Sequence, residues 1–518
     1  MRDGAALLAK RYYPAGGGSQ PTVLVRSCYG IGGPFGLIGR LFAERGFQVV
    51  LQNCRGVGGS EGVFRPFFDE QNDGEDTVNW LAQQAWFDGN LALWGGSYLG
   101  NTAWAIANSA AAAKVKAMGL HVTLTNFHDR TYAFGGYTLE ASIGWTLTMA
   151  EVARSKGMNV LSALTRMRRS RMLSEKAVAV LPLKNADRVV SAEGVGWWQD
   201  WMNHGEPGDK YWNAIDYGRA AETMPATVMS GGWYDIFLPW QVQDFLRAQS
   251  AGRDVRLIIG PWMHAAMPGA AESMRESMAL FQEQFGLSAR APVKPRVRLF
   301  LMGANEWRDY ASWPVPGSRS QSYFLQDGGL LSRDVPAAGG ISKFDYDPAQ
   351  PTPSLYGPTI EGKSGSGDMA SLERRSDVVV FTSEPLAGDV DLIGPVSAEV
   401  YLRSNTQHTD LYLCLCDVDA AGISRNVCDG YRRLRPESPP MLDDGRTRKV
   451  AIEFWPTAYR FGRGHRIRVL VASGAHPRYV RNPGTGELLG EGETMMVQRQ
   501  EILYGPEQPS GISLSVVG

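Results

Sequence analysis

The sequence predicts an α/β architecture up to about Met302 and an all-β one after it. Three observations carry this reading. From Thr22 onward, short apolar or β-branched runs alternate with longer helical patterns, as in a mostly parallel sheet covered by helices. Between His128 and Thr223 strand spacing disappears while helical stretches continue, which predicts a helical cap inserted between two strands. Beyond about Pro314 helical patterns vanish, and strand-like runs recur between Gly, Pro, Asp and Asn turns.

The predicted strands of the first part are Thr22–Arg26, Val49–Gln52, Leu91–Trp94, Val115–Leu120, Ala226–Met229, Val255–Ile259 and Val297–Met302. Apolar runs of this length resemble buried helix segments, and the glycine or turn that follows nearly every one decides for strand. Within the cap, Leu139–Ser155 and Asn159–Lys176 read as helices. The later strands are Val378–Thr382, Val396–Arg403, Leu411–Val418, Tyr431–Leu434, Val450–Trp455, Ile467–Ser473 and Ile512–Val517, with long loops expected over 336–376. The expected division is 1–127 and 224–318 for the two parts of the α/β domain, 128–223 for the cap, and 319–518 for a β-sandwich or jelly roll.

With 518 residues the chain exceeds what one hydrophobic core serves, so several domains are expected. A hydrophobic fraction of 44% and a formal net charge of −1 describe a folded protein without the basic footprint of a nucleic-acid or anionic-membrane binder. Small, roughly neutral ligands fit better. Cys28, Cys54, Cys414, Cys416 and Cys428 form an odd set without Cys-x-x-Cys spacing, which argues for thiols rather than a disulfide framework or zinc site. No stretch approaches the ~20 apolar residues of a membrane span, and the opening residues lack a signal-peptide core. A cytoplasmic setting is expected.

The decisive segment runs Asn90-Leu91-Ala92-Leu93-Trp94-Gly95-Gly96-Ser97-Tyr98-Leu99-Gly100 into an Ala-rich helical pattern. A serine hydroxyl is a poor nucleophile unless presented sharply to a base, and a strand-turn-helix with glycines around it permits the strained backbone that does so. Leu99 stands where the commonest pattern has glycine. The base and its carboxylate are expected in chain order after Ser97, each past a strand. Asp235 follows Ala226–Met229 and His264 follows Val255–Ile259, one helix and one strand apart, so both fall at the carboxyl edge beside Ser97. Asp235 alternatively reads as the N-cap of the next helix, and His264 as a loop histidine. His121, though at a strand end, precedes any carboxylate-bearing strand and reads as structural. An oxyanion would find the Tyr98 amide at the start of its helix, and Tyr29, in the loop after the first strand, could add a hydroxyl. Tyr29 equally reads as a loop aromatic packed on the sheet. The Arg55–Gly62 loop lacks the spacing and lysine of a phosphate loop and reads as a shaping loop.

With these residues assembled, the sequence resembles the cocaine-esterase-like α/β-hydrolases of the X-Pro dipeptidyl-peptidase superfamily. The likeness runs through Met1-Arg2-Asp3-Gly4, the Gly-Gly-Ser-Tyr-Leu-Gly elbow, Gly-Trp-Tyr-Asp ending at Asp235, and Gly-Pro-Trp-x-His ending at His264. It continues through Val297–Gly303, Gly394–Ala398, Gly464–Ile467 and Tyr504–Pro506. The resemblance implies an α/β-hydrolase domain, an inserted helical cap and a C-terminal jelly roll. It implies a Ser97–Asp235–His264 triad, an oxyanion hole from Tyr98 and Tyr29, and no cofactor or metal. It also implies an acyl pocket at Trp145, Phe237 and Leu415, for which core packing is the alternative. Relatives carry an edge strand before the Met-x-Asp-Gly sequence, so this chain looks short there. In amino-acid ester hydrolases acidic residues follow the triad aspartate at +2 and +3; here those positions are Phe237 and Leu238. The expectation is a serine esterase that cleaves carboxylic esters with a neutral, aromatic or hydrophobic acyl group through an acyl-enzyme. The alternative is an X-Pro dipeptidyl peptidase or other amide or amino-acid ester hydrolase using the same triad. A binding protein on this scaffold is disfavoured by the intact triad, and a homo-oligomer is compatible with the sequence.

Overall fold

The computed structural model describes residues 1–154, 163–206, 208–288, 295–360 and 363–518. The chain packs as two units: Met1–Arg130, Gly144–Ala177 and Asp187–Arg298 form the first, and Thr131–Ile143, Val178–Ala186 and Leu299–Gly518 the second.

The first unit is built on β1 (Ala9–Tyr12), β2 (Gln20–Ser27), β3 (Gln48–Asn53), β4 (Phe87–Gly96), β5 (Val115–His121), β6 (Ala226–Tyr234) and β7 (Val255–Met263), in the order β1-β3-β2-β4-β5-β6-β7. All pairings are parallel except the antiparallel edge pair β1–β3. Parallel strands covered on both faces lose the polar alternation of half-exposed ones. Accordingly β3 is buried at every residue and β2 at all but its first. The first six strands expected from apolar runs are present and extended by one to several residues, and the seventh, Val297–Met302, is a strand over Val297–Leu301. The missed strand, β1, reads Ala-Lys-Arg-Tyr and is mostly exposed, so it carries no apolar run.

Helices α1 (Pro34–Ala43), α2 (Glu70–Leu81) and α3 (Tyr98–Ala107) follow β2, β3 and β4. Pro34 stands at the first turn of α1, where its fixed φ is preorganised and its missing N–H costs nothing. Between β5 and β6 the chain forms helices Leu139–Arg154, Ala163–Ala177 and Gly196–Asn203. They match the two predicted cap helices and add a third; residues 155–162, where the first prediction ends and the second begins, lie outside the described residues. Helices Leu238–Ser250 and Met267–Gln284 follow β6 and β7. Phe281 of the latter stacks on Phe42 at 6.1 Å and meets Phe47 edge-on at 6.3 Å, all three without solvent exposure.

The second unit is mostly β-sheet, its strand pairs antiparallel except for one parallel pair. Its longest strand, Val390–Ser404, pairs with Thr457–Phe461 and then Arg448–Glu453 along one edge, and with Gly511–Val517 and then Gln498–Tyr504 along the other. Its register shifts between Leu392 and Val396, where Gly394 adopts φ 145°. A continuous apolar core includes Phe381, Val400, Leu413, Leu415, Val469 and Leu514. The 336–376 stretch is not all loop: Gly340–Tyr346 is a strand paired with Gln498–Tyr504. Only Phe344 and Tyr346 are buried along it, too short an alternation to stand out among glycines and aspartates. Strands Arg319–Leu325, Thr457–Phe461 and Gln498–Tyr504 were missed for the same kind of reason: polar residues occupy their outward positions.

Because Phe281 fills the contact between its helix and two core rings, Phe281→Ala is expected to lower stability by about 3–5 kcal/mol. A matching fall in the urea midpoint of tryptophan fluorescence checks it; an unchanged midpoint contradicts it.

Candidate active site

Ser97 lies between the end of β4 and the start of α3 at φ 55°, ψ −126°, outside the regions an L-residue prefers. Two close approaches hold it there. A Cβ on Gly95 would sit 2.2 Å from the Leu99 carbonyl oxygen, and one on Gly100 would sit 2.6 Å from the Thr123 side chain. The strand end and helix start can therefore pack only through glycine. The absence of glycine at 99 has its explanation here: Leu99 is 4% exposed, and the tight contact falls to Gly100. The Ser97 N–H donates to the His121 carbonyl at 2.9 Å, tying the elbow to β5.

His264, past β7, reaches Ser97 Oγ with Nε2 at 2.9 Å and Asp235 Oδ2 with Nδ1 at 2.6 Å. An ionised carboxylate only accepts, so Nδ1 carries the ring proton and Nε2 offers its lone pair to the serine hydroxyl. Asp235 is fully buried. Its Oδ1 accepts the Phe237 N–H at 2.8 Å, which fixes the carboxylate while leaving Oδ2 for the imidazole. The N-cap of the following helix is Phe237, without a side-chain bond, so Asp235 is not its cap.

His121 sits beside this relay without joining it. Its Nδ1 lies 3.0 Å from Ser230 Oγ, and burial lowers its pKa to about 4, so the ring is neutral at working pH.

The Tyr98 N–H is the first amide of α3, a class of donor without an intrahelical acceptor. The Tyr29 hydroxyl accepts the Trp145 indole N–H at 3.1 Å. Burial pushes both phenols well above the ordinary tyrosine range, so both keep their protons. Trp145 belongs to an aromatic cluster: its ring lies 6.1 Å from that of Tyr98 at 7°, 6.0 Å from Phe67 and 5.9 Å from Trp201. Phe237 meets the His264 ring edge-on at 4.9 Å. Leu415 is fully buried within the core of the second unit.

Sequence reasoning missed what lies behind Tyr98. Its hydroxyl donates to Glu70 Oε1 at 2.8 Å and accepts the Phe67 N–H at 2.9 Å. Glu70 pairs with Arg26 at 2.7 Å, the two side chains 5% and 0% exposed. Asp73, 3.9 Å from Arg26, pairs in turn with Arg55 at 2.6 Å, and Arg55 with Asp3 at 2.7 Å. The available signal was Arg26 itself, a charge directly after the apolar run Val23–Val25 of the Thr22–Arg26 strand, which requires a buried carboxylate. The Arg55–Gly62 loop is a series of turns anchored by this pairing and by the Ser60 hydroxyl, which donates to the Asn53 carbonyl at 3.2 Å.

A serine at a sharp elbow, an imidazole on its hydroxyl, and a buried carboxylate behind that imidazole can carry acyl transfer. Comparison with known proteins agrees. The sequence pattern of the X-Pro dipeptidyl-peptidase (S15 family) matches residues 3–266, and that of the X-Pro dipeptidyl-peptidase C-terminal non-catalytic domain matches 292–513. The chain belongs to the S15 family. Cocaine esterase from Rhodococcus sp. (strain MB1 Bresler) is 30% identical over all of this chain and 97% of its own. Two solved structures share the fold, each covering all of this chain and 95% of theirs. An aminopeptidase from a Thaumarchaeota archaeon superposes with a TM-score of 0.82 at 20% identity, and an α-amino acid ester hydrolase with 0.82 at 21%. The S15 chain described here is a serine hydrolase with an α/β-hydrolase domain and an all-β C-terminal domain. Among the described residues no cluster of three His, Cys, Asp or Glu side chains is arranged to hold a metal, and no helix is long and apolar enough to cross a membrane.

Two outcomes are expected. Asp235→Asn should lower kcat by about 10⁴, the effect of a wrong imidazole tautomer in triads of this geometry; retained turnover with a loss of stability alone would make Asp235 purely structural. His121, neutral when folded and with an ordinary pKa of 6.5 when unfolded, makes the unfolded chain bind more protons between those values. Its contribution is therefore lost as pH falls from about 6.5 toward about 4. In urea titrations across that window, His121→Gln should lose less stability on acidification than the parent chain.

Proposed function

We propose that this enzyme hydrolyses carboxylic esters with neutral, apolar or aromatic acyl groups through an acyl-enzyme on Ser97. The observation that supports it is the Ser97–His264–Asp235 relay, 2.9 and 2.6 Å, beside the Tyr98 amide and the Tyr29 hydroxyl. Ser97 Oγ attacks the acyl carbonyl as its proton passes to His264 Nε2, and Asp235 stabilises the imidazolium. The Tyr98 and Tyr29 donors stabilise the tetrahedral oxyanion. Collapse breaks the bond to the alcohol oxygen, which takes the proton from His264. Water, deprotonated by the same imidazole, then attacks the acyl-enzyme and releases acid and free serine.

The surroundings favour a neutral acyl group. The positions after Asp235 hold Phe237 and Leu238, 8% and 0% exposed, and Arg130 places its guanidinium carbon 5.5 Å over the Phe237 ring. An ammonium brought there loses hydration and finds apolar side chains. An aromatic acyl group instead gains ring contacts of about 0.5–1.5 kcal/mol beyond burial. The name of the relative cocaine esterase accords with ester rather than peptide chemistry. The partner is thus a small-molecule ester, with no role for nucleic acid or membrane. Five cysteines, all unpaired and buried, support a reducing, cytoplasmic setting.

Benzoyl and phenylacetyl esters should show at least about 10-fold higher kcat/KM than the matching phenylglycine ester below its amine pKa, a difference of about 1.4 kcal/mol. Above that pKa the gap should narrow, X-Pro amides should be poor substrates throughout, and Ser97→Ala should be inactive on all of them. A protonated phenylglycine ester that proves the better substrate would replace this assignment with an amino-acid ester hydrolase.

A further inference from the structure

We propose that Trp145 is a positioning residue for the oxyanion hole: its indole N–H occupies a lone pair of the Tyr29 hydroxyl and so aims the phenolic proton at the developing oxyanion. The inference rests on the acyl-enzyme reading of Ser97 and adds to it a role for Trp145 other than a pocket wall.

An indole Nε1–H only donates, so across its 3.1 Å contact the Tyr29 oxygen must accept. The phenolic proton then points away from the indole. Without that bond the proton is free to turn about the phenolic C–O bond toward other acceptors, and the Ser97 and Cys28 side chains both act on the acidity of the hydroxyl. A proton given to Ser97 Oγ ties up the nucleophile's electrons and leaves the oxyanion one donor short. Accepting from the indole also polarises the phenol, making it a stronger donor.

The indole can serve as a fixed reference because its own ring is held. It lies parallel to Tyr98 within 7° at 6.1 Å, stacks with Phe67 at 6.0 Å and Trp201 at 5.9 Å, and meets Trp197 at 5.8 Å. The contact with Tyr98 matters twice over, since the backbone of that residue carries the other oxyanion donor. Trp145 thus touches both residues that serve the oxyanion, one through its N–H and one through its face. The Tyr29 ring is steadied in turn by stacking on Phe35 at 5.9 Å and by edge contact with Tyr98 at 6.5 Å.

The test is a double-mutant cycle in the full-length enzyme with a benzoyl ester. Tyr29→Phe removes the donor and should lower kcat by roughly 10² to 10³. Trp145→Phe keeps an aromatic ring without the N–H, and should lower kcat by about 10-fold with KM within about twofold. In the Tyr29→Phe background the same change should alter kcat less than about twofold, since no proton is left to aim. Equal losses in both backgrounds, or an effect confined to KM, would return Trp145 to the acyl pocket and overturn the proposal. Replacing the Trp145 indole by benzothiophene, which keeps the bicyclic shape and removes only the N–H, should reproduce the kcat loss; full activity of that variant would also overturn it, and it serves if Trp145→Phe fails to fold. Turnover retained by Ser97→Ala would instead sink the acyl-enzyme reading itself, a result distinct from additivity in the cycle.

Discussion

The site depends on one strained residue. At φ 55° and ψ −126° the backbone of Ser97 sits where an L-residue pays of order 1–3 kcal/mol, and such conformations persist only where the surroundings over-determine them. Here the surroundings are Gly95 against the Leu99 carbonyl, Gly100 against Thr123, and the Ser97 amide bonded to the His121 carbonyl. Relaxing the turn would break the β4–β5 junction and move the first amide of α3 together with the hydroxyl. The Ser97 hydroxyl and the Tyr98 amide are thus set by the same few dihedral angles, and the imidazole needs only to meet them.

Electrostatics reinforce the turn from behind. Tyr98 cannot swing while its hydroxyl is shared between Glu70 and the Phe67 amide. Glu70 is itself neutralised by Arg26, with Gln52 accepting from the Arg26 Nε at 2.9 Å. Buried ion pairs are poor sources of net stability, since desolvation offsets most of their attraction, yet removing one partner strands a charge at a cost of about 3–5 kcal/mol. Such a network rewards one arrangement and penalises its neighbours. That is the property an oxyanion hole requires, because a donor displaced by a fraction of an ångström loses much of its worth.

What was legible in the sequence was what periodicity and chain order express. Central parallel strands announce themselves through unbroken apolar runs such as Val23–Val25 and Leu91–Trp94, and the hydrogen-bonded series Ser97, His264 and Asp235 through residues placed just past strand ends. Edge and surface strands such as Ala9–Tyr12 and Gly340–Tyr346 were not legible, because their outward side chains are polar and their inward set is one or two residues. The Glu70–Tyr98 and Trp145–Tyr29 contacts join residues 28 and 116 positions apart. No local pattern encodes them, although a lone arginine in an apolar strand pointed to a buried carboxylate somewhere.

The five cysteines lend themselves to spectroscopy. All are buried and outside disulfides; burial raises the thiols of Cys28, Cys54 and Cys428 well above their ordinary range, and the hydrogen bond with Cys416 together with burial does the same for Cys414, which starves them of reactive thiolate. The native chain therefore presents a nearly silent background to maleimides and methanethiosulfonates. A single cysteine introduced on an exposed helical position between β5 and β6 would be the one fast-reacting thiol in the molecule. A fluorophore or spin label there could report how those helices move as ester enters and acid leaves, without first stripping the protein of its own sulfur.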